Sequence, residues 1–470
     1  MILARTAAAG WALAAAMALA LAGSVYAIPI QVDDSVDVIV RSAQFSSVRV
    51  AFVDGLHNSR TILRPLKQVR TKLLLDLGGA LGGRYHLAFR GYHALIAALL
   101  VVLFVYVARV RSWPDVAALA FALTVLTGMP TFTGLVREAY PVNHFLLIAL
   151  YGLLMLAIAR SRGGWIADVA SIAVFVIATL TLESGVLLWP IAVAGYLAGQ
   201  RGISRLGLAG MTAVAIGYVA LRVGYLGMQG AQLGERATGF GSGALSSADQ
   251  IARFGENPAP LYFYNVMMAA VSVLLSQPES GQWTIVRAWR AGDVAPVFWL
   301  NVGSSVATTA LIAWYMWGRG PARRRRWREP IPFVFLVVLA ANAAISYAYA
   351  KTEIMSLAGV LYALAAFAAV RELVVRPHRR GAAIAVALLL AGVAGAWAVR
   401  SAGLHFKLRH GAFDARGGWA SVLPPDARDR WPHDSATVAL LTRLKQEAVM
   451  TRGAIATALP RDFQRWWGED

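Results

Sequence analysis

The sequence predicts an all-α, polytopic integral membrane protein of roughly eleven transmembrane helices. Three observations predict it. Only 15% of the 470 residues are charged and 58% are hydrophobic, whereas a soluble chain carries roughly a quarter charged residues. Apolar runs recur at lengths near the ~20 residues that carry a helix across ~30 Å of hydrocarbon. Arg and Lys concentrate in alternate short connections, as the positive-inside rule requires.

The runs fall at 7–28, 86–108, 114–131, 143–160, 165–182, 184–199 and 204–226. After a long mixed section they resume at 297–317, 331–349, 354–374 and 381–400. The short basic connections hold Arg109 and Arg111, Arg160 and Arg162, Arg201 and Arg205, the run Arg323–Arg328, and the stretch from Arg371 to Arg380. Placing all of them in the cytoplasm puts the N-terminus inside. Loop 29–85, loop 132–142, segment 227–296, the turn 350–353 and the tail 401–470 then lie outside. Residues 1–400 read as one transmembrane module, 29–85 as its long periplasmic first loop, 227–296 as a periplasmic or interfacial segment and 401–470 as a periplasmic tail. The expected location is the bacterial inner membrane.

Two stretches strain that scheme. Segment 261–276 is apolar, yet a full crossing there would move the Arg323–Arg328 cluster outside. Its Tyr262, Phe263 and Tyr264 suit the headgroup layer, so an interfacial or re-entrant helix is expected. The N-terminus has the form of a secretory signal, with Arg5 before an apolar core and Val25-Tyr26-Ala27 at its end, and retention as the first span is the expectation. Cysteine is absent, which excludes disulfides, thiolate metal sites and a cysteine nucleophile. The net charge of +19 belongs to the connections of a membrane protein, and no soluble basic domain points to nucleic acid.

Candidate chemistry gathers on the outer face. Asp33 and Asp34, with Asp37, come soon after span one, where a carboxylate can accept a proton from an acceptor whose partner stays anchored in lipid. The plain alternative is ordinary surface acidity at a helix end. The first loop also holds eight Arg or Lys against five Asp. That excess is either a solvated basic surface or a place that receives phosphate, Arg64 among its members. Arg137 and Glu138 precede Pro141, Asn143 and His144; Glu183 lies between two apolar runs; Lys351 and Glu353 share the turn 350–353. Each alone could snorkel, but together on one face they point to a shared polar cavity. His86 and His93 stand at i and i+7 with no third ligand at a suitable spacing, which favours packing or hydrogen bonding over metal binding.

In this order the pieces resemble the C-type glycosyltransferase superfamily of membrane enzymes, near its protein O-mannosyltransferase-like members. Three stretches carry the resemblance: Asp33-Asp34 after span one; Arg64-Pro65-Leu66 with Tyr85-His86-Leu87 and Gly91-Tyr92-His93 beyond it; and Leu182-Glu183-Ser184-Gly185 with Trp189-Pro190. They cover roughly residues 1–200, and Tyr349-Ala350-Lys351 stands where some members have an Arg-Tyr pair. Leu182 occupies the place of the usual Lys before Glu183, and the histidine-proline motif expected near 130–140 is not clear. The resemblance implies a transferase that takes a sugar from a polyprenyl-phosphate donor to a glycan, lipid or protein acceptor. In that scheme Asp33 or Asp34 is the general base, and Arg64, His93, Arg137, Glu138, Glu183 and Lys351 bind the donor's phosphate or sugar. A divalent metal between Asp and phosphate is the alternative that some members use.

Two rival readings stay open. A lipid or solute transporter or flippase calls for ionisable groups near mid-membrane, broken helices and repeats. Arg222, near the outer end of its run, is the nearest match. An O-antigen polymerase or ligase is similarly polytopic, with its large loop late in the chain, and segment 227–296 keeps it in view.

Overall fold

The computed structural model describes residues 2–32, 34–57, 63–130, 144–225, 252, 256–257, 259–275, 289–292, 294–317, 330–347, 352–376, 379–414, 418–419, 422 and 434–451. Every regular element among them is helical. In chain order these are α1 (Ile2–Tyr26), α2 (Asp34–Ala43), α3 (Val48–His57), α4 (Pro65–Ala80), α5 (Tyr85–Ala108), α6 (Trp113–Gly128), α7 (His144–Ala159) and α8 (Trp165–Thr181). A 3₁₀ turn (Glu183–Leu187) leads into α9 (Leu188–Leu197), and α10 (Arg205–Val219) ends in a π-turn (Ala220–Tyr225). Then come α11 (Ala259–Leu274), α12 (Pro296–Trp317), α13 (Pro330–Ile345), a 3₁₀ turn (Thr352–Met355), α14 (Ser356–Val375), α15 (Arg380–Asp414) and α16 (Ser435–Met450).

Among the described residues, five helices are long and apolar enough to cross a membrane: Arg5–Tyr26, Tyr85–Ala108, Pro296–Trp317, Thr352–Val375 and Arg380–Phe406. They coincide with the first, second, eighth, tenth and eleventh expected runs. The remaining apolar helices are shorter, at 10–17 residues. A 16-residue helix such as α6 rises roughly 24 Å, short of the full hydrocarbon thickness.

Helix α14 is the central stave. It is apolar around its whole circumference, and 94% of the apolar window that includes its lead-in turn is buried against α6, α7, α11, α12 and α13. The corresponding figure for α15 is 6%, so that helix stands at the edge with most of its surface outward. Helix α1 packs antiparallel along α5, with Tyr26 beside His86 at one end and Thr6 donating to the Arg111 carbonyl at 3.2 Å at the other.

The short basic turns meet at one end of the bundle. Arg109 donates to the Arg160 carbonyl (2.7 Å) and Arg160 to the Val107 carbonyl (3.0 Å). The Gly202 amide donates to the Ala159 carbonyl at 2.9 Å. Arg371 meets Asp115 at 2.5 Å, and Arg376 lies 4.6 Å over Trp314 near the end of α12. Trp113, Trp165 and Trp317 are exposed at this end, as membrane-interface anchors are.

The insert 29–85, expected as a soluble-looking loop, is folded into α2, α3 and α4. Val36, Ile39 and Val40 make the buried stripe of α2. Pro65 starts α4, where its missing N–H costs nothing. Gly82 and Gly83, at φ 74° and 80°, break the chain before α5 in a conformation other residues rarely take. Most of the apolar segment 261–276 falls in α11, which buries Leu261, Asn265, Ala269, Ser272 and Val273 on one face. It packs on α13 and α14, and Asn265 donates to the Tyr347 carbonyl at 2.8 Å.

Candidate functional site

At the end opposite the basic turns, side chains distant in sequence meet around Glu183. Arg64 Nε donates to Glu183 Oε2 at 2.9 Å, and its Nη2 reaches the same oxygen at 2.7 Å. Arg222 Nη2 stands 3.8 Å from Glu183 Oε1, and its Nη1 is 3.5 Å from the Tyr218 hydroxyl. Arg70 donates through Nη2 to the Thr181 hydroxyl, which itself donates to the Ile177 carbonyl at 2.6 Å. Lys67 lies one turn from both Arg64 and Arg70, and all three act electrostatically on the buried ring of His144. Among the described residues, two cations, Arg64 and Arg222, therefore meet the Glu183 carboxylate, with Arg70 bonded to Thr181 two residues before it.

Local sequence explains each placement. Residue 64 precedes a proline and so is kept out of the α region, which holds Arg64 at the helix entry (φ −134°, ψ 57°). Leu63 is fully buried in a small apolar cluster with Tyr218, Val186, Leu221 and Leu56, a floor that ties α4 to the π-turn and the 3₁₀ turn. Gly55 lets α3 approach α4 closely, since a Cβ there would fall 2.6 Å from the Pro65 backbone. After Leu182 the chain turns tightly through Glu183–Leu187, and Gly185 sits against the Ala178–Thr179 backbone, where a Cβ would come within 2.3 Å. The π-turn ends α10 and carries Arg222 towards the carboxylate.

Of the expected site residues, the structure joins Arg64 and Glu183. His93 stands elsewhere, buried, with Nδ1 3.2 Å from Arg90 Nη1, while Arg90 Nη2 donates to the Pro29 carbonyl at 2.6 Å. Asp34 opens α2, but its side chain, together with Asp33, Arg137, Glu138 and Lys351, lies outside the described residues. Glu353 is buried in the second 3₁₀ turn. Arg70, Thr181, Tyr218 and Arg222 complete the cluster without having stood out as site residues. The spacing of Arg64, Lys67 and Arg70 at three-residue steps was the available signal, because it places them along one helical face.

The arrangement suits an anion. Cations in partly dehydrated surroundings bind phosphate oxygens more strongly than in water, and Arg offers paired N–H donors to them. Among the described residues no three His, Cys, Asp or Glu gather where they could hold a metal ion. The chain matches no protein-family model, no curated protein and no solved structure.

A second buried cation lies between α12, α14 and α15. Arg400 Nη1 donates to Ser305 Oγ (2.7 Å), Ser304 Oγ (2.9 Å) and the Asn301 carbonyl (3.1 Å), and its guanidinium stacks 4.1 Å over Trp397. Trp397 donates to Thr308 at 2.9 Å, and the Tyr362 and Thr309 hydroxyls are bonded at 2.9 Å.

Proposed function

We propose that this protein is a membrane glycosyltransferase of the C-type kind, moving a sugar from a polyprenyl-phosphate donor to an acceptor at the outer face of a bacterial inner membrane. The observation that carries the reading is Glu183 held between Arg64 and Arg222, with Arg70 bonded to Thr181 close by, at the end of the bundle away from the basic turns. In this scheme the acceptor hydroxyl loses its proton to Asp33 or Asp34 as its oxygen bonds to the anomeric carbon. The bond from that carbon to the phosphate oxygen breaks, and the cations take up the charge left on the lipid phosphate. Glu183 keeps Arg64 and Arg222 in place between turnovers.

Eleven spans with a cytoplasmic N-terminus complete the proposal. An odd count puts the tail on the side of the first insert, and the packing of α16 on α2 and α5 supports that. The test is a deletion strain complemented with wild type, Asp33→Asn or Asp34→Asn, with mass spectrometry of its lipids and cell-surface glycans. Wild type restores a missing glycan and at least one variant does not. Full glycosylation in both variants rejects the mechanism.

Arg400 favours a second reading. A buried guanidinium within a candidate span, together with the π-turn that ends α10, is what a lipid flippase would use. Purified protein in vesicles separates the two: a flippase moves intact donor between leaflets, whereas a transferase consumes it.

A further inference from the structure

We propose that the C-terminal tail is a clasp on the chain leaving α1, with Trp419 and Glu447 as positioning residues that hold the linker 27–32, the stretch of chain that precedes the acidic pair Asp33 and Asp34. The catalytic part of this inference rests on the sugar-transfer reading; the clasp itself does not.

Residues 27–32 join α1 to α2 and lead directly into Asp33 and Asp34. Three carbonyls at the end of α1 and in this linker each face a side chain from another element. His86 Nε2 is 2.9 Å from the Tyr26 carbonyl, Arg90 donates to that of Pro29 at 2.6 Å, and Trp419 Nε1 donates to that of Ile30 at 2.8 Å. The indole N–H is a donor only, so this bond has one direction and one partner. Trp419 is fully buried, unlike a tryptophan that anchors a tail in the headgroup layer. Its neighbour Gly418 lies against Val32, 3.3 Å from an added Cβ.

The tail grips a second time through α16. Glu447 Oε2 accepts the His86 amide at 2.7 Å, one of the amides at the start of α5 that no helix carbonyl can serve. Tail and linker thus converge on one residue, because the His86 ring bonds Tyr26 and stacks edge-on with it at 5.2 Å. Arg443 donates to the Gly83 carbonyl at 3.2 Å, and Leu440, Leu441 and Leu444 are buried on the inner face of α16. A tail serving only as a cap would have no need to reach the linker's own backbone.

The experiment uses full-length protein in phospholipid nanodiscs and the variants Trp419→Phe, Glu447→Ala and Glu447→Gln. Amide exchange is monitored over 23–43, and kcat and KM are measured with polyprenyl-phosphate-linked sugars extracted from the host membrane. Trp419→Phe and Glu447→Ala are expected to raise exchange across 26–32 about five- to tenfold, the effect of losing one buried hydrogen bond. They should lower kcat while leaving the donor KM unchanged, because the cation cluster is untouched. Glu447→Gln retains an acceptor for the His86 amide and keeps both values near wild type. Unchanged exchange in both disruptive variants overturns the clasp. Raised exchange with unchanged kcat overturns the positioning role. If wild type transfers no sugar at all, the sugar-transfer reading falls and exchange alone decides the clasp.

Discussion

At the end of the bundle with the short turns, arginines close turns. Arg109 and Arg160 donate to main-chain carbonyls of each other's connections, and Arg371 meets an Asp115 that also accepts the Arg111 and Ser112 amides at 2.8 and 2.9 Å. At the opposite end, Arg64 and Arg70, from the start of α4, bond the Glu183 and Thr181 side chains, and Arg222 from the π-turn approaches the same carboxylate. The first set satisfies backbone that is left open where helices stop. The second, among the described residues, sets two guanidinium groups against one carboxylate. One residue type thus closes main-chain turns at one end and meets a carboxylate side chain at the other.

That contrast is sharpest in turnover. Arg64→Ala and Arg222→Ala are each expected to lower sugar transfer by about 10²–10³-fold, as removal of a charge-stabilising donor does. Arg109→Ala should leave it within about twofold, since its partner is a carbonyl at the other end. Labelled donor consumed by purified protein measures all three, and an equal loss in Arg109→Ala erases the distinction. The next effect runs the other way. Asp115→Ala removes a fully buried partner of Arg371 and the N3 member of the capping box that Ser112 opens on α6, at a cost of about 3 kcal/mol of stability. Unfolding in denaturant reads this, while transfer per folded molecule stays level.

Two glycines sharpen the comparison at smaller amplitude. A Cβ at Gly185 would come within 2.3 Å of the Ala178 backbone, and one at Gly202 within 1.9 Å of the Ile158 carbonyl. Each alanine variant is expected to cost about 1–3 kcal/mol in thermal unfolding. Only Gly185→Ala should also slow transfer, because it moves the turn that carries Glu183. The smallest effect concerns the tail. Hydrogen bonds from the Thr437 hydroxyl and amide hold the Asp434 carboxyl below the ordinary aspartate range, so its charged form stabilises the start of α16. That contribution is complete above the unfolded value of about 3.9 and fades as pH falls towards the lower folded value. Amide exchange in α16 at pH 6 and pH 3 should therefore differ more in wild type than in Asp434→Asn.

The helices were legible wherever an apolar run was long and bounded by charge, as in 86–108 and 354–374. Arg64 and Glu183 were legible as isolated polar groups beside a proline and between two apolar runs. Their partnership was not, because it depends on how α4 meets the 3₁₀ turn. Arg222 read as an exception inside an apolar run, since no sequence pattern announces a π-turn. The bond from Trp419 to Ile30 spans 389 residues, and local periodicity carries no trace of it. Arg400 read as the end of a span, yet Ser304 and Ser305 draw it into the packed interior.

The π-turn at Ala220–Tyr225 makes the site a matter of counting. A wider turn accommodates a residue that a regular α-helix would have no room for, and such an insertion re-aims the side chains beyond it by about 100°. Arg222 therefore owes its view of Glu183 to the length of the chain as much as to its own chemistry. Deleting Ala220 would leave every side chain of the cluster in the protein and still turn Arg222 away, a frameshift written in three dimensions.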